Sequence, residues 1–225
     1  METKQTQIQK KRYEDILIGI MNSGLKLSKL VMEDAMDILK IVKDNKWGVG
    51  RSAESTTAAA IYISARNNRE PLWIEELQEI VGMEKRNIIS SYKHLIKKGI
   101  KSGKPFEPED FVPKILTKIE EELKRDYNEG FSTLYKQYKK KIAQIWTKTE
   151  EMIELLRNKG MLDGKSRKVV VATMIYMVTI MYGVKVPQRV ISKVTYCTEV
   201  SIRNTLKDTE LKTEYEKIFN EGEDA

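Results

Sequence analysis

The sequence predicts an all-α protein made of two tandem repeats of five helices, each repeat ending in a helix-turn-helix. The first observation is an internal duplication, since residues 50–95 match residues 164–209 without a gap, 114 positions later. The second observation is that apolar residues recur at helical spacing in both copies, while the positions between them differ. This pattern is typical of two copies of one packed helical unit.

Matched residues in the two copies have the same chemical character. Glycine and serine recur where each copy begins, and aliphatic residues recur at the positions that predict a core. The matched pairs are Gly50 and Gly164, Arg51 and Lys165, Ser52 and Ser166, Ala58 and Ala172, Ile61 and Ile175, Tyr62 and Tyr176, Leu77 and Ile191, Ile80 and Val194, and Ile88 and Ile202.

The first repeat contains five helical segments. A helix over 13–21 is followed by a second helix with Ser28 as its predicted N-cap, and by a third with Ser52 in that role. A short helix over 73–81, a turn at Gly82 and a helix over 84–98 form the helix-turn-helix. The residues predicted to face inward in the first two helices are Ile16, Leu17, Ile20, Met21, Leu30, Val31, Ala35, Ile38, Leu39 and Val42.

The second repeat, predicted over 111–212, differs from the first near its start. The interval from Phe111 to Gly164 is longer than that from Ile16 to Gly50, and the excess lies near 120–139, around Gly130. This insertion fits either an elongated helix pair before a helix over 142–156 or an inserted hairpin. Its aromatic stripe packs on its own domain or binds a partner. The stripe consists of Tyr127, Phe131, Tyr135 and Tyr138.

The remaining boundaries follow from composition. Residues 1–10 are a predicted flexible tail, 11–99 the first repeat, 100–110 a linker rich in glycine, proline and lysine, and 213–225 an acidic tail. The second helix-turn-helix has its first helix at 188–194, its turn at 195–198 and its second helix from Glu199 onward.

The charge balance suits a polyanionic partner without proving one. The 40 lysines and arginines exceed the 33 acidic residues, which gives a net charge of +7. A single cysteine, Cys197, excludes a disulfide framework. No apolar run approaches membrane-spanning length, and the N-terminus lacks the apolar core of a signal peptide. We therefore expect a protein without a membrane span.

The sequence predicts no catalytic site. Gly164-Lys165-Ser166 resembles the end of a phosphate-binding loop, but Lys159 stands where that motif requires glycine. His94 has no second histidine or nearby cysteine with which to hold a metal. We therefore expect a protein that is not an enzyme and that has no cofactor, no metal and no small-molecule substrate.

The two helix-turn-helix units indicate a DNA-binding function. The first residues of the second helix in such a unit reach base edges in the major groove. A helical hairpin packed in an all-helical core has the same spacing, so the pattern alone leaves a DNA-binding and a purely structural interpretation open.

The motifs GRSAESTTAAAIYISAR, FVPKI, GKS and TEVSIRN resemble the core of transcription factor IIB, especially archaeal transcription factor B. The resemblance covers residues 13–211 and implies two cyclin-like repeats. It also implies a factor that joins the TATA-binding protein on promoter DNA and reads the B-recognition element. The TEVSIRN motif implies that Val200 and Arg203 contact bases, and a valine methyl on thymine and an arginine on guanine suit that role.

Basic residues near both helix-turn-helix units are the predicted phosphate contacts, and the linker lysines are predicted to meet DNA phosphate or acidic groups of the TATA-binding protein. The phosphate contacts are Lys165, Lys185, Arg189, Lys193, Lys207, Lys85 and Arg86. The partner-binding lysines are Lys97, Lys98, Lys101 and Lys104.

Two departures qualify the resemblance. The family's N-terminal zinc ribbon needs four cysteine or histidine ligands, and this sequence has one of each. We therefore expect a paralogue or regulator that does not dock on RNA polymerase through such a ribbon. RNA polymerase is a further candidate partner that the resemblance implies. Thr205 and Leu206 also replace the usual arginine and tyrosine. The alternative is a cyclin-like module that binds a protein without DNA. The resemblance implies a cytoplasmic, nucleoid-associated protein in an archaeon, or a nuclear one in a eukaryote.

Overall fold

The computed structural model describes residues 4–125, 132–207 and 213. Its elements are α1 (Lys4–Asn22), α2 (Lys29–Asp44), α3 (Ala53–Asn67), α4 (Ile74–Val81), α5 (Lys85–Lys97), a 3-10 turn (Glu109–Phe111), α6 (Val112–Arg125), α7 (Ser132–Asn158), α8 (Arg167–Met181), α9 (Gln188–Thr195) and α10 (Glu199–Leu206). These residues contain no strand, which confirms the predicted all-α fold. The chain divides into two compact units, Met1–Phe106 and Glu107–Ala225.

Helix α3 is the centre of the first unit. It packs against α1, α2, α4 and α5, and every residue over 55–61 is buried. A helix that is buried on all sides belongs to the interior of a bundle. The small side chains of Ala58, Ala59 and Ala60 let the surrounding helices approach closely, as the sequence predicted.

Helix α8 has the same place in the second unit. It packs against α7, α9 and α10, while α6 packs on α7 and α9. Residues 170–175 of α8 are buried. On α7, Tyr138 is completely buried, and its hydroxyl donates to the Leu116 carbonyl of α6 at 2.9 Å. This burial raises the pKa of the Tyr138 phenol.

The duplication extends to the helix ends and to the backbone. Helices α3 and α4 begin and end at the positions matched by α8 and α9 after the shift of 114 residues. Four left-handed backbone positions also coincide in the two units. The pairs are Lys46 and Gly160, Gly50 and Gly164, Arg69 and Gly183, and Gly82 and Tyr196. The backbone of the repeat is therefore retained where the side chains differ.

Both predicted serine caps are present. The hydroxyl oxygen of Ser28 accepts from the Val31 amide at 3.3 Å, and that of Ser52 accepts from the Ser55 amide at 3.1 Å. Ser166, which matches Ser52, precedes α8 without a side-chain capping bond. A side-chain hydrogen bond therefore caps the N-terminus of α3 and not that of α8.

Some predicted details are wrong. Met21 and Leu30, which we expected to face inward, are 54% and 60% exposed. Each stands beside a buried residue, Ile20 and Val31, and the helical rotation of one residue turns its side chain outward. Helix α1 begins at Lys4 rather than at the predicted Tyr13, and no glycine or proline interrupts residues 4–12.

The extra residues of the second unit lengthen α7. Helix α2 ends at Asp44 and α7 ends at the matched Asn158, but α2 has 16 residues and α7 has 27. The helix predicted over 142–156 therefore begins earlier, at Ser132. Of the predicted aromatic stripe, Tyr138 packs within its own unit. Tyr127, Gly130 and Phe131, like the acidic tail after residue 213, lie outside the described residues.

The first part of the predicted linker, residues 100–106, is fixed on the first unit. The Arg66 side chain donates to the Gly103 carbonyl at 2.5 Å and to the Lys104 carbonyl at 3.3 Å. The Gly103 amide donates to the Asn67 side-chain oxygen at 2.8 Å. The backbone that carries the linker lysines is consequently ordered.

The residues that open the second unit are fixed within that unit. Glu109 pairs with Arg157 near the end of α7, and Glu107 pairs with Arg167 at the start of α8 at 3.4 Å. The hydrogen bond to Glu109 raises the pKa of the Arg157 guanidinium. These two ion pairs hold the 3-10 turn before α6.

Candidate nucleic-acid interface

The second helix-turn-helix consists of α9, a turn at Tyr196, and α10. Tyr196 has a left-handed backbone, with a φ of 55°. The Thr198 hydroxyl then caps α10 by accepting from the Ser201 amide at 3.1 Å. Ile202 is completely buried, so its packing decides which face of α10 turns outward.

Val200 and Arg203 share the outward face of α10. Val200 is 55% exposed, and the Arg203 side chain is 51% exposed. Residues three apart on a helix are surface neighbours. The Arg203 guanidinium lies 3.5 Å from the Glu199 carboxylate, one turn earlier, and an exposed pair of this kind is weak. The two predicted base-contacting residues are thus presented together to solvent.

The predicted phosphate contacts of the second unit differ in their surroundings. Lys185, Arg189, Lys193 and Lys207 are exposed, while Lys165 is partly buried. Arg189 and Lys193 lie one turn apart on α9. The Lys193 ammonium is 2.7 Å from the Glu122 carboxylate of α6, so this lysine is already paired within the unit.

The two predicted phosphate contacts of the first helix-turn-helix are also paired locally. Lys85 lies 2.6 Å from Glu75 on α4, and Arg86 lies 2.6 Å from Glu84, the residue that precedes α5. The turn between the two helices is made by Gly82 in a left-handed conformation. The geometry of the unit matches the prediction, but these two cations have nearby carboxylates.

An open depression of about 600 Å³ on α5 gathers cations that sequence reasoning did not combine. It is lined by Arg51, Arg86, Ile89, Ser90, Lys93, His94 and Lys97. Arg51 comes from the loop before α3 and donates to the Ser90 hydroxyl at 3.0 Å. The helical spacing of Arg86, Lys93 and Lys97 is visible in the sequence, but the approach of Arg51 is not.

His94 connects this depression to the neighbouring loop. Its ring is half-buried, and its Nε2 lies 3.0 Å from the Trp47 carbonyl oxygen. This contact holds the loop that carries Arg51 against α5. Across the described ranges, no group of histidine, cysteine and acidic side chains is arranged to hold a metal ion.

The linker lysines surround the end of the first unit. Lys97, Lys98, Lys101 and Lys104 are all exposed. Lys97 belongs to α5 and lines the depression, whereas Lys101 and Lys104 stand on the segment fixed by Arg66. The sequence predicted these four lysines as one set. In the structure, Lys97 and Lys98 stand at the end of α5, and Lys101 and Lys104 stand on the linker segment 100–106.

The family model "Transcription factor TFIIB repeat" matches residues 5–98 and 137–212, one region in each unit. These regions contain both helix-turn-helix units described above. The chain belongs to the transcription factor IIB family. Residues 99–136, which include the docked linker, α6 and the first residues of α7, lie between the two matched regions.

Curated relatives from archaea support this assignment. Transcription initiation factor IIB of Methanopyrus kandleri is 30% identical over 189 residues, covering 83% of this chain and 54% of the relative. That of Pyrococcus horikoshii is 28% identical over 186 residues, covering 82% and 55%. Transcription initiation factor IIB 7 of Halobacterium salinarum is 26% identical over 191 residues, covering 85% and 53%. The chain spans about half the length of these transcription factor IIB relatives.

None of the helices in the described parts of the chain is long and apolar enough to cross a lipid bilayer.

Proposed function

We propose that the chain is a transcription factor IIB-like protein that joins the TATA-binding protein on promoter DNA and reads the B-recognition element through α10. The observation that carries this proposal is the joint exposure of Val200 and Arg203 beside the buried Ile202. A recognition helix needs one face fixed by packing and another free to enter the major groove.

The chemistry of the outward face suits base recognition. An arginine donates two hydrogen bonds to guanine O6 and N7, and a valine methyl packs on the thymine methyl group. The ion pair between Arg203 and Glu199 is long and exposed, so a base edge can replace it. Arg203 therefore specifies the base, while Val200 adds an apolar contact.

The depression on α5 supports backbone binding by the first unit. Arg51, Lys93 and Lys97 join Arg86 on one open surface, and phosphate contacts fix the register of a protein on DNA without reading its sequence. The exposed Lys101 and Lys104 on the docked linker are the proposed contacts to acidic groups of the TATA-binding protein or to phosphate.

The end of α10 is a second departure from the family pattern that supports the proposed role as a paralogue or regulator. Thr205 and Leu206 are half-buried and offer no cation to DNA, whereas the pair usual in the family includes an arginine. We expect weaker anchoring at this end of the helix, with Lys207 supplying the next charge. RNA polymerase is a further proposed partner on the strength of family membership.

Replacing Arg203 by alanine tests the proposal. We expect Arg203→Ala to lose about 1–3 kcal/mol of binding free energy on a duplex with the preferred sequence and little on a scrambled duplex. Gel shifts with and without the TATA-binding protein measure both quantities. Arg189→Ala is the matched control, because a phosphate contact weakens binding equally on both duplexes.

Equal losses on every duplex after Arg203→Ala would reduce Arg203 to a phosphate contact. No shift at low salt by the unmodified protein, with or without the TATA-binding protein, would instead favour the cyclin-like protein-binding module.

A further inference from the structure

The added part of α7 carries a charge pattern that its matched helix lacks. The position matched to the start of α2, Lys29, is Ala143, and α7 begins 11 residues earlier, at Ser132. The added residues 132–142 contain four lysines and no acidic residue. The matched parts, 29–44 and 143–158, each contain one more acidic residue than basic residues. The positive charge of α7 therefore comes with its extension.

The extension is held firmly against the rest of its unit. Tyr138 is completely buried and donates to the Leu116 carbonyl at 2.9 Å. The Lys141 ammonium donates to the Tyr182 carbonyl at 2.6 Å and lies 6.0 Å from the centre of the Tyr182 ring. These contacts attach the extension to α6 and to the end of α8. The packing therefore determines which residues of the extension face outward.

Three lysines remain on that outer surface, and together they form the α7 lysine face: Lys136, Lys139 and Lys140. All three are exposed. Lys139 lies 5.9 Å from the centre of the Tyr135 ring. None of the three forms an ion pair with a carboxylate in the described ranges. Lys136 and Lys140 are one helical turn apart, about 6 Å along the axis.

We propose that the α7 lysine face binds the phosphate backbone of duplex DNA without regard to sequence. Duplex DNA carries about one negative charge per 1.7 Å of its axis, and lysine contacts to it release counterions. The cores of protein–protein interfaces are depleted in lysine and rely on apolar anchors. Trp146 is 41% exposed and lies seven residues after Lys139, on the same side of α7 but about 10 Å further along the axis, where its indole N–H donates to Glu150 at 2.6 Å. No exposed apolar residue lies between Lys136 and Lys140 themselves, and three cations this close together fit phosphate.

The α7 lysine face lies on a different helix pair from the base-reading surface. Helix α7 packs on α6 and α8, whereas α10 packs on α8 and α9. The DNA held here is accordingly a stretch that flanks the bases read by α10. This inference rests on the proposed function only in taking duplex DNA as the ligand, since it needs neither Arg203 nor any sequence preference.

The test is the triple variant Lys136→Gln, Lys139→Gln, Lys140→Gln. Fluorescence anisotropy across a series of salt concentrations measures its affinity for a long target duplex and for a scrambled duplex of equal length. The slope of log affinity against log salt is negative. We expect its magnitude to decrease by about 2 to 3 on both duplexes, since each lost phosphate contact accounts for about 0.9. The ratio of the two affinities stays that of the unmodified protein.

The matched control removes the same charge elsewhere in the chain, with Lys26→Gln, Lys29→Gln, Lys40→Gln near and on α2. We expect this control to keep the unmodified slope. All six lysines are exposed, and thermal melting followed by circular dichroism checks that both variants remain folded. Equal slope losses in the two triple variants would overturn the inference in favour of net charge alone.

The remaining outcomes separate this inference from the proposed function. An unchanged slope in the α7 variant, with a sequence preference that depends on Arg203, overturns the inference and keeps the proposed function. A reduced slope in a protein without any sequence preference keeps the inference and overturns the proposed function. Absence of binding to any duplex at low salt overturns both.

Discussion

Gly103 occupies a position where a single methyl group does not fit. A Cβ atom at this residue would lie 2.3 Å from the carbonyl oxygen of Arg66. The blocking atom belongs to the backbone near the end of α3, so it cannot rotate away as a side chain would. The hydrogen bonds from Arg66 to the linker depend on this close approach.

We expect Gly103→Ala to release the linker from the first unit. The new methyl group separates Gly103 from Arg66 and lowers the free energy of unfolding by about 1–3 kcal/mol, as overpacking does. Limited trypsin digestion should then cut after Lys101 several-fold faster. Gly19→Ala on α1 is the control, because a Cβ there meets no atom within 4 Å. Unchanged digestion of Gly103→Ala would show that the linker does not depend on this contact.

The facing of single residues was only partly predictable from the sequence, since Met21 and Leu30 were expected to be buried and are exposed beside the buried Ile20 and Val31. The TEVSIRN resemblance singled out Val200 and Arg203, and the burial of Ile202 leaves both on the outward face of α10. The contact between Arg51 and Ser90 joins residues 39 apart in sequence, and no local pattern reports such an approach. The hydrogen bond from Arg66 to the Gly103 carbonyl joins residues 37 apart, so no local pattern in the sequence predicts it either.

The matched helices α3 and α8 differ at their N-caps. Ser52 accepts a hydrogen bond from the Ser55 amide, whereas Ser166 makes no side-chain capping bond. An N-cap bond satisfies one of the backbone N–H groups that a helix leaves unpaired at its start. The duplication thus provides two serines in equivalent places with different expected contributions.

We expect Ser52→Ala to lower the free energy of unfolding by about 1 kcal/mol, because the Ser55 amide loses its acceptor. Ser166→Ala is its internal control and should change stability by less than about 0.5 kcal/mol. Urea unfolding followed by circular dichroism measures both. Equal losses in the two variants would mean that Ser166 caps α8 in solution.

Helix starts were predictable where the duplication supplied two copies to compare. The starts of α3 and α8 follow from Gly50 and Ser52 and from the matched Gly164 and Ser166, which both repeats share. The start of α7 could not be predicted in this way, because residues 132–142 have no counterpart in the first repeat. Their lysines and tyrosines fit an elongated helix and an inserted hairpin equally well.

The net charge of +7 is distributed unevenly over the described surface. Several predicted phosphate contacts, such as Lys85 and Lys193, have a carboxylate within 2.7 Å. The depression on α5 instead collects Arg51, Lys93 and Lys97 around a hydroxyl and a half-buried imidazole. The net charge of the sequence could not predict which cations are paired, because some ion pairs, such as that of Lys193 with Glu122, join residues distant in sequence.

We expect the double variant Arg51→Gln, Lys93→Gln to bind every duplex more weakly. The magnitude of the slope of log affinity against log salt should decrease by about 1 to 2. The preference for the target sequence should not change, because we propose that these cations meet phosphate rather than bases. Anisotropy titrations at several salt concentrations provide both values, with Lys29→Gln, Lys40→Gln as the control of equal charge. A changed sequence preference would assign a base contact to the first unit.

The paired left-handed turns bear on how such a protein can diverge after duplication. Tyr196 has the same backbone conformation as Gly82, its partner in the other repeat, so this corner does not depend on glycine. The side chain at this corner can therefore change while the left-handed backbone of the turn between the two helices is retained. A chain that reads DNA through α10, as we propose, can therefore acquire a new target by exchanging side chains while the backbone of this turn is kept.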